Sequence, residues 1–235
     1  ARSGAQYAHS ATIVNNGVIA LGSYTNWLGD FNFGTFTVNA PGTVETLING
    51  NSQFSSLWGD GSLTNRSGSS YQLRILDGPC EFSGKILGSI RYYSRGLVAL
   101  TGTNSTFFGN FAINSEGGPG ITGAKKIGMK GQPSSIGSGG QIDIRESGGT
   151  FLYLGNGETT DKDFLLYPSA NRAVIDGGLY GGVTFNGAWN TSGGRLVRFA
   201  ITGTNASPCV FNGTYSEHSG SGGTNYSTYL AKEGT

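Results

Sequence analysis

An all-β chain, wound as a right-handed single-stranded parallel β-helix of about 25 residues per coil, is the fold this sequence predicts. Three observations carry it: a composition of turn and strand formers, a recurring unit of aliphatic, glycine and phenylalanine residues, and the even spacing of that unit. Of 235 residues, 42 are Gly and only 12% are charged, against about a quarter in an ordinary globular domain. Helix-building Ala, Leu, Glu and Lys give way to Gly, Ser, Thr, Asn, Val, Ile, Phe and Tyr, which favour turns and strands. The 13 Phe, 11 Tyr and 3 Trp, set against 6 Pro, separate the chain from a Gly/Ser linker. They supply enough apolar surface to offset the entropy of ordering.

The unit is clearest at Leu76-Asp77-Gly78-Pro79-Cys80-Glu81-Phe82-Ser83-Gly84-Lys85-Ile86. An aliphatic residue, a spacer and Gly are followed by a variable loop and then Phe-x-Gly-x-apolar. Leu100-Thr101-Gly102 leads in the same way to Phe107-Phe108-Gly109-Asn110-Phe111. Ile175-Asp176-Gly177 leads to Phe185-Asn186-Gly187-Ala188-Trp189, and Ile201-Thr202-Gly203 to Phe211-Asn212-Gly213-Thr214-Tyr215. A degenerate copy starts at Ile48-Asn49-Gly50, with Phe54, Ser56 and Trp58.

Phe82 and Phe107 are 25 positions apart, Phe185 and Phe211 are 26, and Phe107 and Phe185 are 78, three times 26. Units of this length indicate stacked repeats, and a propeller blade needs about 40 residues. Within each unit the alternation is that of short strands with one buried face. Each strand then pairs in parallel with its counterpart one coil above, about 4.8 Å away, so that about nine coils make a rod roughly 45 Å long. On this reading Phe82 stacks on Phe107. Phe82, Phe107, Phe185, Phe211, Leu76, Leu100, Ile175 and Ile201 form the repeat core, with Gly at the bends. Parallel connections are overwhelmingly right-handed, which sets the hand. Residues 1–58 fit the pattern less well and are expected to be irregular first coils or a cap; residues 59–235 are the regular repeats.

Net charge is +1 and the pI is about 8.0, with Lys125 and Lys126 the only adjacent basic pair. That gives no clustered basic face for nucleic acid. No apolar run approaches the roughly 20 residues of a membrane span. Ala1-Arg2-Ser3-Gly4 does not open a signal segment, so any export signal is expected to have been removed already.

The series Gly131-Gln132-Pro133-Ser134-Ser135-Ile136-Gly137-Ser138-Gly139-Gly140-Gln141-Ile142-Asp143-Ile144, Gly148-Gly149-Thr150-Phe151-Leu152-Tyr153-Leu154-Gly155 and Thr159-Thr160-Asp161-Lys162-Asp163-Phe164 resembles the autotransporter-associated β-strand repeats of large exported bacterial proteins. Ile175 to Trp189 looks like that family's following coil, and Leu230-Ala231-Lys232-Glu233-Gly234-Thr235 like the start of another repeat. The resemblance covers roughly residues 59 to 235. It implies a secreted or cell-surface, passenger-type parallel β-helix, a section of a longer protein, acting as a non-catalytic structural or adhesive stalk. Its partners would be further copies of itself or adjoining repeats of a longer chain, with surface glycans or matrix, and neither a cofactor nor a conserved active site is implied.

The main alternative is a polysaccharide-processing enzyme, a lyase or glycosidase on the same scaffold. Such sites need paired carboxylates, or carboxylates holding calcium beside a basic residue. The candidates are Asp143, Glu146, Asp161, Asp163 and Asp176, with Arg145, Lys162 and Arg172. Most fall in turns, where Asp suits the backbone, so no catalytic residue is assigned. His9 and His218 lack the paired spacing of a zinc site, and no Gly-x-Ser-x-Gly elbow occurs. The calcium-binding Gly-Gly-x-Gly-x-Asp nonapeptide is absent, leaving Asn156-Gly157-Glu158 and Asp161-x-Asp163 as at most a casual surface site.

Cys80 and Cys209 both lie in Pro-Cys-x-Phe-x-Gly. Placed at one corner of coils five apart they would be about 24 Å from each other, so no disulfide is expected between them. A β-helix also exposes unpaired strand edges at its ends, which makes stacking into filaments a physical option. Asn-x-Ser/Thr sequons at Asn65, Asn104, Asn190, Asn205, Asn212 and Asn225 would matter only in a glycosylating host.

Overall fold

The computed structural model describes residues 11–21, 31–32, 34–46, 51–65, 71–75, 78–114, 120–145, 148–166, 172–177, 182–191, 197–202, 209–217 and 228–232. Among them every pairing between named strands is parallel, and the regular elements are strands of two to six residues. Coil 1 runs through β1 (Thr12–Val14), β2 (Val18–Leu21) and β3 (Phe31–Asn32), and coil 2 through β4 (Thr35–Val38), β5 (Thr43–Thr46) and β6 (Asn51–Phe54). Coil 3 holds β7 (Ser56–Trp58), β8 (Ser62–Asn65) and β9 (Tyr71–Ile75), and coil 4 holds β10 (Cys80–Phe82), β11 (Lys85–Gly88) and β12 (Ile90–Ser94). Coils 5 and 6 have irregular middles between β13 (Leu97–Leu100) and β14 (Phe111–Asn114), and between β15 (Ile121–Ala124) and β16 (Gln141–Arg145). Coil 7 returns to three strands, β17 (Gly149–Tyr153), β18 (Glu158–Thr160) and β19 (Asp163–Leu166). Coil 8 has β20 (Arg172–Asp176), β21 (Val183–Phe185) and β22 (Trp189–Thr191), and coil 9 has β23 (Val197–Thr202), β24 (Val210–Phe211) and β25 (Tyr215–Glu217). β26 (Thr228–Lys232) lies on β23 as the first strand of the next coil.

Stacking these coils produces three sheets along the rod, a right-handed parallel β-helix. Sheet 1 contains β1, β4 and β7, then β10, β13, β15, β17, β20, β23 and β26, joined across the parallel bridge between Gly59 and Phe82. Sheet 2 contains β2, β5, β8 and β11 at one end and β18, β21 and β24 at the other. Coils 5 and 6 span the gap: Phe107 N–H donates to the Ile86 carbonyl, and Ser138 N–H donates to the Phe107 carbonyl. Sheet 3 runs unbroken from β3 to β25. The first coils join the same three columns, and residue 58 is the last residue of β7.

Successive side chains in a strand point to opposite faces, so each short strand sends alternate residues into the bore. Burying a large apolar side chain stabilises by about 1.5–3 kcal/mol, and an aromatic pair adds about 0.5–1.5. Ring contacts run through the bore from Tyr92 to Phe111, Phe151, Phe164, Phe185 and Phe211. Between sheets 1 and 2 the coils meet backbone to backbone. A Cβ on Gly61 would come 2.6 Å from the Gly42 carbonyl oxygen, one on Gly84 2.1 Å from that of Gly61, and one on Gly102 2.1 Å from that of Gly84. Glycine is required in this column by close approach of neighbouring coils.

One expectation is corrected. The coils keep to the expected length of about 25 residues only on average: register partners are 18 residues apart at Phe82 and Leu100, and 31 apart at Ile201 and Lys232. In consequence Phe82 lies in sheet 1 against Leu100, whereas Phe107 lies over Ile86 with its ring against Tyr92 at 6.5 Å. Phe82 and Phe107 therefore do not stack. The short fourth coil advances the motif by one side of the triangle. The same advance separates the cysteines: Cys80 belongs to β10 in sheet 1, and Cys209 precedes β24 in sheet 2. Both are free thiols.

Candidate functional site

At the corner between sheets 2 and 3 stands a second glycine column, formed by Gly109, Gly139, Gly187 and Gly213, three of them the Gly of a Phe-x-Gly. A Cβ on Gly139 would lie 2.7 Å from the Gly109 carbonyl oxygen, and one on Gly213 would lie 1.6 Å from that of Gly187. Lys162 interrupts it: a Cβ on Gly187 would lie 2.0 Å from the Lys162 carbonyl oxygen. Two residues earlier in each coil the inward positions are Phe107, Gly137, Thr160, Phe185 and Phe211, so coils 6 and 7 lack the aromatic ring. Lys162 is buried there, 1% exposed. Its ammonium donates to the carbonyls of Gly137, at 3.3 Å, and Gly139 in the coil below. Burial, opposed by the charges of Asp161 and Glu158, pushes its pKa down to about 8.

In that same coil, residues 126–138, which include Gly137, leave sheet 2 as a loop closed on itself by Ser135 N–H donating to the Lys126 carbonyl, at 2.9 Å. Carboxylates of coil 7 hold this loop. Glu158 accepts the N–H groups of Ile127 and Gly128, at 2.6 and 2.8 Å, one on each oxygen. Asp161 accepts the Lys130 N–H at 2.6 Å, and Thr160 Oγ1 donates to the Gly128 carbonyl at 2.7 Å. Asp163 pairs with the Lys130 ammonium at 2.9 Å through one oxygen and accepts the Ala188 N–H at 2.8 Å through the other. One carboxylate thereby ties coils 6, 7 and 8. Tyr153 accepts the Gly157 N–H at 3.0 Å, and burial with the nearby Glu158 charge pushes its pKa up to about 12.

A second polar group stands on the outer side of sheet 3. Asp143 is paired in register with Ala112 and Leu165 and is fully buried. Its carboxylate takes two hydrogen bonds from Arg145, at 2.6 and 3.1 Å, one from Gln141 and one from Asn110 in the coil below at 3.1 Å. A carboxylate removed from water is tolerated when it is paired with a cation and both oxygens accept hydrogen bonds in this way.

Of the residues named from sequence, Phe82, Leu100, Phe107, Ile175 and Phe185 are buried in the core, and Phe211 packs against it. Leu76, His9, His218, Glu146, Asn205 and Asn225 lie outside the described residues, as do the side chains of Ile201 and Arg172. Asp161, Lys162 and Asp163 come together in coil 7; Asp143 and Arg145 form the separate group on sheet 3, and Asp176 lies in sheet 1. The sequon residue Asn65 is buried, its amide donating to the Ser89 carbonyl. Sequence reasoning missed Lys130 and the double acceptance by Glu158. It also missed Lys162's structural position, although one period back from Phe185 lands on Thr160-Asp161-Lys162 in the phase of Phe-x-Gly.

Burial raises the Cys80 and Cys209 pKa values above that of a free thiol, so neither is an activated nucleophile. Among the described residues no group of three or more His, Cys, Asp and Glu is placed to hold a metal ion. None of the described elements is a helix long and apolar enough to cross a membrane. The clustered carboxylates and amines join neighbouring coils, their polar atoms directed at backbone groups and at one another. Comparison with known proteins returns no family model, no curated protein and no solved structure that matches the chain.

Proposed function

We propose that the protein is a non-catalytic β-helical rod, structural or adhesive, which presents an elongated surface outside the cell. The observation that carries this reading is the commitment of Asp143, Glu158, Asp161 and Asp163 to bonds that join one coil to the next. A glycosidase needs two carboxyl groups facing one substrate bond, about 5–10 Å apart, one of them a proton donor. Here the acids serve as acceptors of backbone N–H groups and partners of Lys130 and Arg145. The continuous apolar bore and the glycine columns favour a stiff scaffold. The finer reading, a passenger-type stalk of a large exported bacterial protein, rests on the likeness of residues 59 to 235 to autotransporter-associated repeats.

A glycan array combined with a reducing-sugar assay tests it. Binding without release of reducing ends supports an adhesive rod, and neither binding nor release supports a purely structural one. Turnover of any polysaccharide, abolished by Asp163→Asn or Asp143→Asn, overturns the proposal in favour of a carbohydrate-active enzyme.

A further inference from the structure

Asn-Gly, a dipeptide whose unbranched second residue leaves the asparagine carboxamide open to attack by the following backbone nitrogen, occurs five times, at Asn16, Asn49, Asn156, Asn186 and Asn212. Asn49 lies outside the described residues; coil packing sorts the other four. Asn186 and Asn212, although exposed, stand one above the other at the corner between sheets 2 and 3, the Asn212 amide donating to Asn186 Oδ1 at 3.1 Å. Their backbones are pinned on both sides of the dipeptide. Asn186 N–H donates to the Thr160 carbonyl and Ala188 N–H to Asp163, both at 2.8 Å. Asn212 N–H donates to the Phe185 carbonyl, and the Thr214 carbonyl accepts the Trp189 N–H, again at 2.8 Å. Gly187 and Gly213 are wedged against the coil below, so neither peptide plane turns without unstacking a coil. Asn156 is exposed, but the Gly157 N–H is held by the Tyr153 hydroxyl at 3.0 Å. Asn16 differs from all three. It lies in the turn between β1 and β2, where Asn16 and Gly17 are both exposed and Gly17 has a φ of +84°. Among the described residues neither the Asn16 side chain nor the Gly17 N–H has a hydrogen-bond partner. The turn is anchored on either side of this peptide, by the Val14 carbonyl accepting the Asn39 N–H at 2.8 Å and the Gly17 carbonyl accepting the Thr43 N–H at 3.0 Å.

The geometry points to Asn16 as a site of spontaneous backbone modification, converting to isoaspartate and aspartate, with Asn156 following more slowly and the stacked Asn186 and Asn212 kept intact. Hydroxide takes the Gly17 N–H proton, and the nitrogen attacks Asn16 Cγ. The N–Cγ bond forms, the Cγ–Nδ2 bond breaks, and ammonia leaves with a proton from water, which regenerates hydroxide and closes a succinimide ring. Water then adds to either ring carbonyl and opens it, leaving a carboxylate in place of the carboxamide and, where the main chain now runs through Cγ, an extra main-chain carbon. No redox partner is consumed. Ring closure needs the nitrogen and Cγ to reach attack geometry, which a free turn samples and a pinned rung does not. At Asn186 and Asn212 the reaction has to wait for local opening of the stack, and its rate falls with the population of the opened state. The product at Asn16 places a negative charge and a lengthened chain between the two anchors, on Asn39 and Thr43, that join coil 1 to coil 2 at this corner.

Incubation of the intact folded chain in mildly alkaline buffer, followed by proteolysis and mass spectrometry of the peptides, tests the assignment, with the urea-unfolded chain as reference. In the folded chain Asn16 is expected to convert about tenfold or more faster than Asn186 and Asn212, and in urea the three rates are expected to converge. Tyr153→Phe, which keeps the buried ring and removes the acceptor of the Gly157 N–H, is expected to speed conversion of Asn156 and to leave Asn16 unchanged. Folded-chain rates at Asn186 or Asn212 that match the rate at Asn16 overturn the proposal. So does an Asn16 that stays unmodified in the folded chain while it converts in urea. An Asn156 rate that Tyr153→Phe leaves unmoved also counts against it, because engagement of the N–H would then not be what sorts the sites. These rates are independent of glycan binding and turnover, so the two proposals fail separately.

Discussion

Phe185 and Phe211, one coil apart, are register partners whose rings stack 5.1 Å apart with planes 6° from parallel. Phe185 also meets Phe164 and Trp189 edge to face, at 5.2 and 5.8 Å. In a stacked array each layer depends on its neighbours, so loss of this ring is felt on both sides. Phe185→Ala is expected to cost about 3–5 kcal/mol in urea unfolding. Phe211→Ala, at a partly buried position against the core, should cost clearly less. Equal costs would place the two rings in equivalent surroundings and contradict the described packing.

Gly187 is irreplaceable for a different reason. A Cβ there would stand 2.0 Å from the carbonyl oxygen of Lys162, a backbone atom that cannot rotate away. Gly187→Ala is expected to destabilise by about 3 kcal/mol or more, against about 1 kcal/mol for a glycine whose only penalty is a positive φ. Thermal melting compares it with Gly131→Ser, where a Cβ meets nothing within 4 Å but takes the strain of a φ of +78°.

How far the sequence foretold this structure can be read from the motif copies. Ile175 with Phe185 and Trp189, and Leu100 with Phe107 and Phe111, fall in sheets 1, 2 and 3 in that order. The parallel helix was legible because these copies sit three coils apart in phase. The copy holding Phe82 was misplaced because a coil can shorten at its corners without altering the Phe-x-Gly signature. Phe82 then meets Leu100 after 18 residues. The clamp by Glu158 was not legible, since its partners are backbone N–H groups of a loop about 30 residues away, which carry no side-chain signal; Asp163 likewise meets a backbone N–H, that of Ala188 in the next coil.

Lys162 gives a pH dependence of definite sign. Its pKa is about 8 when folded, against an ordinary 10.5. Below 8 both states hold the proton. Between 8 and 10.5 the unfolded chain binds more protons, so this residue makes stability rise with pH across that window, by up to about 3 kcal/mol. The raised pKa values of Cys80 and Tyr92 act oppositely as pH climbs past their ordinary values of 9.0 and 10.0. The difference between wild type and Lys162→Met isolates the lysine: the gap should move in favour of wild type from pH 8 upward. A gap constant with pH would mean that Lys162 titrates normally.

Removing the Glu158 carboxylate should release the loop of coil 6. Glu158→Ala leaves the Ile127 and Gly128 N–H groups without their acceptors, at a cost of about 1–3 kcal/mol. Hydrogen exchange at these two amides should accelerate strongly, while that of β14 stays near the wild-type rate. Uniform acceleration through the chain would show that Glu158 supports the whole rod rather than this loop.

Cysteine cross-linking between rungs puts the stacking itself to the most direct test. Asn190 and Ser216 are register partners on the outer side of sheet 3, and Leu165 lies one rung below Asn190. Neighbouring rungs are about 4.8 Å apart, inside the range a disulfide can span, and alternate rungs are about twice that, outside it. In a background with Cys80 and Cys209 replaced by Ser, Asn190→Cys with Ser216→Cys should oxidise to an intramolecular disulfide, and Leu165→Cys with Ser216→Cys should not. Failure of the first pair to close, or equal closure of both, would contradict a chain wound in stacked coils.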